Sequence, residues 1–310
     1  MGQELIAMVM LALQLIGNFG LETSVLSPAE LKQLIDQQQE EVTYLLPSEV
    51  GFSKTPRLLS PLISAKAALA VDLDSGAIFY KKEAFERMAI ASITKIMTAL
   101  VVFAELDLKD VVTVPRVAAE ISGSRAGLLV GENISVLNLL RALLIDSGND
   151  AAYALAYHYG EGKLEPFVAA MNKRAASLGL KDTSFSNPAG FDADENYATA
   201  YDVSLLVRTA LNEALLRDIV STKKMTIYSK DGVKSHHLVN TNQLLGGYLA
   251  VTGVKTGRTN AAGQSLVSLS ERDGKKVLSV VLNSPDRFQE SKILLDWVYT
   301  AFQWPEGPVG

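Results

Sequence analysis

Apolar residues cluster in short runs broken by turn residues toward both ends of this chain, and recur at helical spacing through its middle. From Ala67 the run Ala-Ala-Leu-Ala-Val-Asp-Leu, the turn residues Asp74-Ser75-Gly76 and the run Ala-Ile-Phe-Tyr predict a β-hairpin. Residues 92–220 read as mainly helical, as where Val136, Leu139, Leu140, Leu143 and Leu144 return every three or four positions. Strands follow near Val251, at Ser265–Leu269 and at Val277–Leu282, the last two joined across Asp273-Gly274, and a closing helix carries Ile293, Leu294, Trp297 and Val298. Strands at both ends with a helical insert between them predict an α/β (α+β) chain. Its expected form is one mainly antiparallel sheet flanked by helices, a helical subdomain, and a cleft between the two.

The N-terminal pattern is different. Leu5 to Leu21 is apolar apart from Gln14, Gly17, Asn18 and Gly20, and residues 1–21 are expected to be a signal peptide or short membrane anchor, although no lysine or arginine precedes Leu5. Ser27-Pro28-Ala29-Glu30 is a helix-start signature, with serine as N-cap and proline at the first helical position, and predicts a stalk helix to about Val42. The Pro- and Ser-containing stretch from Leu46 to Pro61 lacks periodicity and is expected to be linker, so the organisation expected is stalk and linker over 22–61, one domain over 62–303 and a tail over 304–310.

Composition narrows the function classes. The 310 residues are 48% hydrophobic, ample for a large core, and the net charge of −5 without a run of lysines or arginines leaves no footprint for nucleic acid. The absence of cysteine excludes thiolate nucleophiles and cysteine-based zinc sites. Only three histidines are present; His236 and His237 are adjacent and would face opposite ways on a strand, and His158 sits in an expected helix, so no histidine metal cluster is expected.

Without a well-placed histidine, a serine nucleophile needs another base. Ser92-Ile93-Thr94-Lys95 opens an expected helix, and serine and lysine at i and i+3 share one helix face, so Lys95 can reach the Ser92 hydroxyl. Burial and a second cation, Lys255, would keep Lys95 neutral enough to accept a proton. Ser147-Gly148-Asn149 follows the leucine-rich helix; the Ser147 hydroxyl can relay a proton to a leaving amine, and the Asn149 amide can bond Lys95 or a substrate backbone. Lys255-Thr256-Gly257 is expected on a strand along the cleft, with glycine allowing a substrate backbone to approach. Backbone N–H groups of Ser92 and Arg258 are the candidate oxyanion donors, and Lys255, the Thr256 hydroxyl and a neighbouring arginine suit a terminal carboxylate. Ser221-Thr222-Lys223-Lys224 also fits the first pattern, so the order of all three motifs carries the argument.

In that order the motifs resemble those of penicillin-recognising serine enzymes, and from about Ala65 to Phe302 the sequence resembles the low-molecular-mass D-alanyl-D-alanine carboxypeptidases among the penicillin-binding proteins. Val71–Gly76, Ala91–Ala99, Ser147–Ala152, Ser186-Asn187-Pro188-Ala189-Gly190 and Gly253–Gly257 carry the likeness. The resemblance implies a β-lactamase/transpeptidase-like fold, a peptidoglycan stem peptide as substrate, an acyl-enzyme on Ser92 and acylation by β-lactam antibiotics. It further implies no metal or organic cofactor, carboxylate binding by Arg287, action outside the cytoplasmic membrane, and membrane association, if any, through the N-terminus. Two relatives in chemistry stay open: a D,D-endopeptidase using the same machinery on crosslinks, and a serine β-lactamase. The β-lactamase would need a second base, for which Glu165 and Glu195 lie in the right interval without the matching local pattern. A non-catalytic wall-binding protein is disfavoured because Ser92, Lys95 and Lys255 are all retained.

Overall fold

The structure, a computed structural model, describes residues 44–55, 58–247 and 249–305. The expected export or anchor segment and the stalk helix fall outside the described residues. Five antiparallel strands form the central sheet: β1 (Ala67–Asp72), β2 (Ile78–Lys82), β5 (Val251–Thr259), β6 (Gly263–Arg272) and β7 (Lys275–Ser284), in the order β5-β6-β7-β1-β2. Two further strands, β3 (Lys224–Tyr228) and β4 (Ser235–Val239), make a separate hairpin. The helices of eight or more residues among the described residues are α1 (Lys95–Glu105), α2 (Val136–Ile145), α3 (Asn149–Tyr159), α4 (Glu165–Ser177), α5 (Ala200–Asn212), α6 (Ala214–Ser221) and α7 (Arg287–Ala301).

Both faces of the sheet are covered, which explains why β1 reads as an unbroken apolar run rather than an alternation. Period-two geometry divides its residues: Ala67, Leu69 and Val71 join the core beneath the helical insert, whereas Ala68 and Ala70 face a second core with Leu294, Leu295 and Val298 of α7. The pairing of β7 with β1, from Val277–Asp72 to Leu282–Ala67, closes the sheet from opposite ends of the chain. The Glu290 carboxylate ties α7 to the sheet, accepting from the backbone of Ser64 and from Ala65 N at 3.0 Å and Ser284 Oγ at 2.5 Å.

The interval 92–220 is mainly helical as expected, with two short antiparallel pairs set into it, Val111–Thr113 with Asn133–Ser135 and Tyr197–Ala198 with Met88–Ala89. One expectation needs correction. The helix expected from Ser92 begins instead as a 3-10 turn, Ala91–Thr94, with the α-helix starting at Lys95. Part of the expected linker, and residues of the expected tail, pack against the domain. Ser53–Lys54 pairs with Phe302–Gln303, and Phe52, 4% exposed, meets Phe79 and Trp304 with ring centroids 5.0 and 5.5 Å away. The segment packs through Phe52, with Val50 and Leu58 partly buried against the same core, at spacings that match neither helix nor strand.

Candidate active site

The 3-10 turn sets the geometry of the first motif. With three residues per turn, side chains at i and i+3 stack more directly than in an α-helix, and Lys95 Nζ donates to Ser92 Oγ at 2.8 Å. Ala91 precedes the serine with φ 47°, and the turn is clasped from two sides. A Cβ at Gly190 would lie 1.8 Å from Ala91 O, and one at Gly257 would lie 2.9 Å from Ile90 O and 3.3 Å from Ser92 N. Only glycine allows both walls this close to the nucleophile turn.

Lys95 is fully buried, and its amine also donates to Asn149 Oδ1 at 2.8 Å and to Ala189 O at 2.7 Å. All three acceptors are neutral. Burial therefore holds the amine well below its ordinary lysine pKa, the Lys255 charge pushes it in the same direction, and Asp150 opposes both. Asp150 itself accepts from the backbone N–H groups of Ala126, Gly127 and Leu128, fixing the loop over the start of α3.

Ser147 and Asn149 flank the break between α2 and α3, where Ser147 takes φ 61°. Asn149 Nδ2 donates to Ser122 O at 2.8 Å, which orients its Oδ1 toward Lys95. From β5, Lys255 Nζ, 1% exposed, donates to Ser147 Oγ at 2.8 Å and to Thr256 O at 3.1 Å. Burial, reinforced by Arg287 and opposed by Asp146, lowers its pKa to about 7. Arg287, at the first turn of α7, donates from Nη1 to Gly257 O at 2.8 Å, and Arg258 extends beside it as an exposed guanidinium. Burial and the Arg258 charge both lower the Arg287 pKa.

Hydrogen bonds join Ser92, Lys95 and Asn149, and Lys255 with Ser147; Thr256, Gly257 and Arg258 follow Lys255 on β5, and Arg287 bonds the Gly257 carbonyl, so the structure brings all nine sequence-predicted site residues together. Such an arrangement can activate a serine for acyl transfer and hold an anion beside it. The duplicate Ser-x-x-Lys is excluded by its surroundings: Ser221 and Lys224 are exposed and straddle the end of α6 and the start of β3. Sequence reasoning missed the Ala189 carbonyl, although the Ser186–Gly190 stretch had marked its loop, and missed Thr241, whose Oγ1 lies 2.6 Å from Thr256 Oγ1. Glu165 and Glu195 are exposed, and Asp192 accepts from Ala261 N at 3.1 Å across the end of the cleft. His236 is buried against Glu132 at 2.8 Å, while His237 on the other face bonds Thr226.

The family model for D-alanyl-D-alanine carboxypeptidase, peptidase S11, matches residues 54–286. The chain belongs to this family. Among its curated members, D-alanyl-D-alanine carboxypeptidase DacF of Bacillus subtilis is 34% identical over 247 residues, covering 77% of this chain and 63% of its own length. The D-alanyl-D-alanine carboxypeptidase of Streptomyces sp. strain K15 is 34% identical over 250 residues, 76% of this chain and 86% of that one. The crystal structure of the Streptomyces K15 DD-transpeptidase superposes with a TM-score of 0.74 at 33% identity, covering 78% of this chain and all of that one. The fold is thus the penicillin-binding, transpeptidase-type fold expected from the sequence.

Proposed function

We propose that the protein is a serine D-Ala-D-Ala carboxypeptidase that removes the terminal D-alanine from peptidoglycan stem peptides outside the cytoplasmic membrane. The observation that carries this reading is the buried Lys95 amine, depressed in pKa and 2.8 Å from Ser92 Oγ. Lys95 takes the hydroxyl proton as Ser92 Oγ attacks the carbonyl carbon of the penultimate D-alanine. The N–H groups of Ser92 and Arg258 receive the oxyanion. Ser147, held by Lys255, relays that proton from Lys95 to the nitrogen of the departing D-alanine as the C–N bond breaks, and the terminal carboxylate lies against Thr256 and Arg287. Lys95, neutral again, takes a proton from a water that attacks the acyl carbon and returns it to Ser92 Oγ as the ester bond breaks. β-Lactams acylate the same serine. The N-terminal apolar segment serves export or attachment to the membrane, and the catalytic domain takes in Phe52 and the Ser53–Lys54 strand ahead of residue 62.

The full chain is incubated with a diacetylated tripeptide ending in Lys-D-Ala-D-Ala and, separately, with a fluorescent penicillin. Release of D-alanine and labelling that both vanish in Ser92→Ala support the proposal. Labelling without release, together with cleavage of a crosslinked stem-peptide dimer, would reassign the protein as an endopeptidase. Rapid turnover of penicillin would favour a β-lactamase.

A further inference from the structure

The Thr256 hydroxyl has a partner that the motifs do not contain. Thr241 lies on the loop joining β4 to β5, with its Oγ1 2.6 Å from Thr256 Oγ1. The loop is braced on both sides of it. Asn240 Nδ2 donates to the carbonyls of Val220 at 3.2 Å and Thr222 at 3.0 Å, and Asn242 Nδ2 donates to Gly253 O at 2.9 Å. Asn240 Oδ1 closes the turn by accepting from Asn242 N at 2.9 Å. These neighbours, rather than Thr256, hold the Thr241 backbone in place.

Each hydroxyl has one proton, so only one of the pair can donate to the other. If Thr256 donates, it turns lone pairs toward the cleft and repels a carboxylate. If Thr241 donates, the Thr256 proton is free to point into the cleft, and accepting one hydrogen bond makes Thr256 a stronger donor in the next. A bound carboxylate selects the second direction.

We propose that Thr241 is a positioning residue for the substrate's terminal carboxylate, donating to Thr256 Oγ1 so that the Thr256 proton is aimed at the anion that Arg287 also meets. The proposal rests on the carboxypeptidase reading, and Thr241 acts only through Thr256. Its effect therefore falls on substrates that carry the carboxylate and spares those that lack it.

The test uses the full chain and two matched thioesters of an N-acyl-D-alanine, one with mercaptoacetate as leaving group and one with mercaptoacetamide. Thr241→Val keeps the shape and removes the hydroxyl; Thr241→Ser keeps the hydroxyl. Thr241→Val is expected to lower kcat/KM on the carboxylate thioester about fivefold, mainly through KM, because Thr256 loses the hydrogen bond that strengthens and orients its own donation to the anion. On the amide thioester the loss stays within about twofold, and Thr241→Ser restores the wild-type ratio. The ratio between the two thioesters is internal to each variant, so partial misfolding cancels, and Thr241→Ala serves if the valine variant gives too little protein. Equal losses on both thioesters, no loss on either, or failure of serine to rescue would overturn the role of Thr241. A wild type with no preference for the carboxylate thioester would overturn the carboxypeptidase reading as well.

Discussion

Replacing Lys255 by methionine should stabilise the protein while disabling it. A buried lysine whose pKa falls from 10.5 to about 7 carries, at 1.36 kcal/mol per pK unit, about 5 kcal/mol of destabilisation when protonated. Below pH 7 both the folded and the unfolded chain hold this proton, so the full cost is present. As pH rises the folded state releases the proton first, stability climbs, and the climb ends near 10.5, where the unfolded chain also deprotonates. Methionine has similar length and no charge, but it abandons the bonds to Ser147 Oγ and Thr256 O. At about 1 kcal/mol each these offset part of the gain, leaving a net of about 2–3 kcal/mol in favour of Lys255→Met at pH 6. For a domain of this size that is an increase of roughly 5–10 °C in Tm. Thermal melts of both proteins at pH 6 and pH 9.5 measure it, with penicillin acylation followed in parallel and expected to slow by about 10²-fold or more. A variant that melts at or below the wild type at pH 6, or a gap that does not shrink by pH 9.5, would refute the reasoning.

Lys95→Ala should slow acylation by fluorescent penicillin about 10²–10⁴-fold, the usual contribution of a general base. In the wild type the acylation rate should fall as pH drops and Lys95 gains its proton, and in Lys255→Met this acid limb should move to higher pH because a neighbouring positive charge is gone. Gly190→Ala combines φ 87° with a Cβ 1.8 Å from Ala91 O and should abolish labelling and soluble yield. Gly162→Ala, at φ 90° with nothing near the added carbon, should cost only about 1–2 kcal/mol in denaturant titration. Phe52→Ala should cost about 3–5 kcal/mol, and a chain beginning at Leu62 should melt below one beginning at Tyr44.

Ser92 and Lys95 could be paired from the sequence because any right-handed turn brings i and i+3 together; the 3-10 turn in place of an α-helix altered the geometry and left the pair intact. The strands β1 and β7 were likewise readable, since each centres on a short apolar run beside turn residues, whereas β5, VTGVKTGRT, carries little apolar pattern of its own. Phe52 was not, because its ring partners Phe79 and Trp304 lie in distant parts of the chain and a single aromatic leaves no period. Nor was Thr241, a polar loop residue whose only distinguishing feature is the hydroxyl opposite it.

The chain's order of residues thus determined, by itself, the types of chemical group available, their local pairing and the class of fold. Only the tertiary structure decided which Ser-x-x-Lys is buried, how far its amine is desolvated, and that Lys255 and Arg287 approach from separate elements. The physical reason is that hydrogen bonding along a turn is a local property, whereas desolvation and charge proximity depend on everything packed around a group.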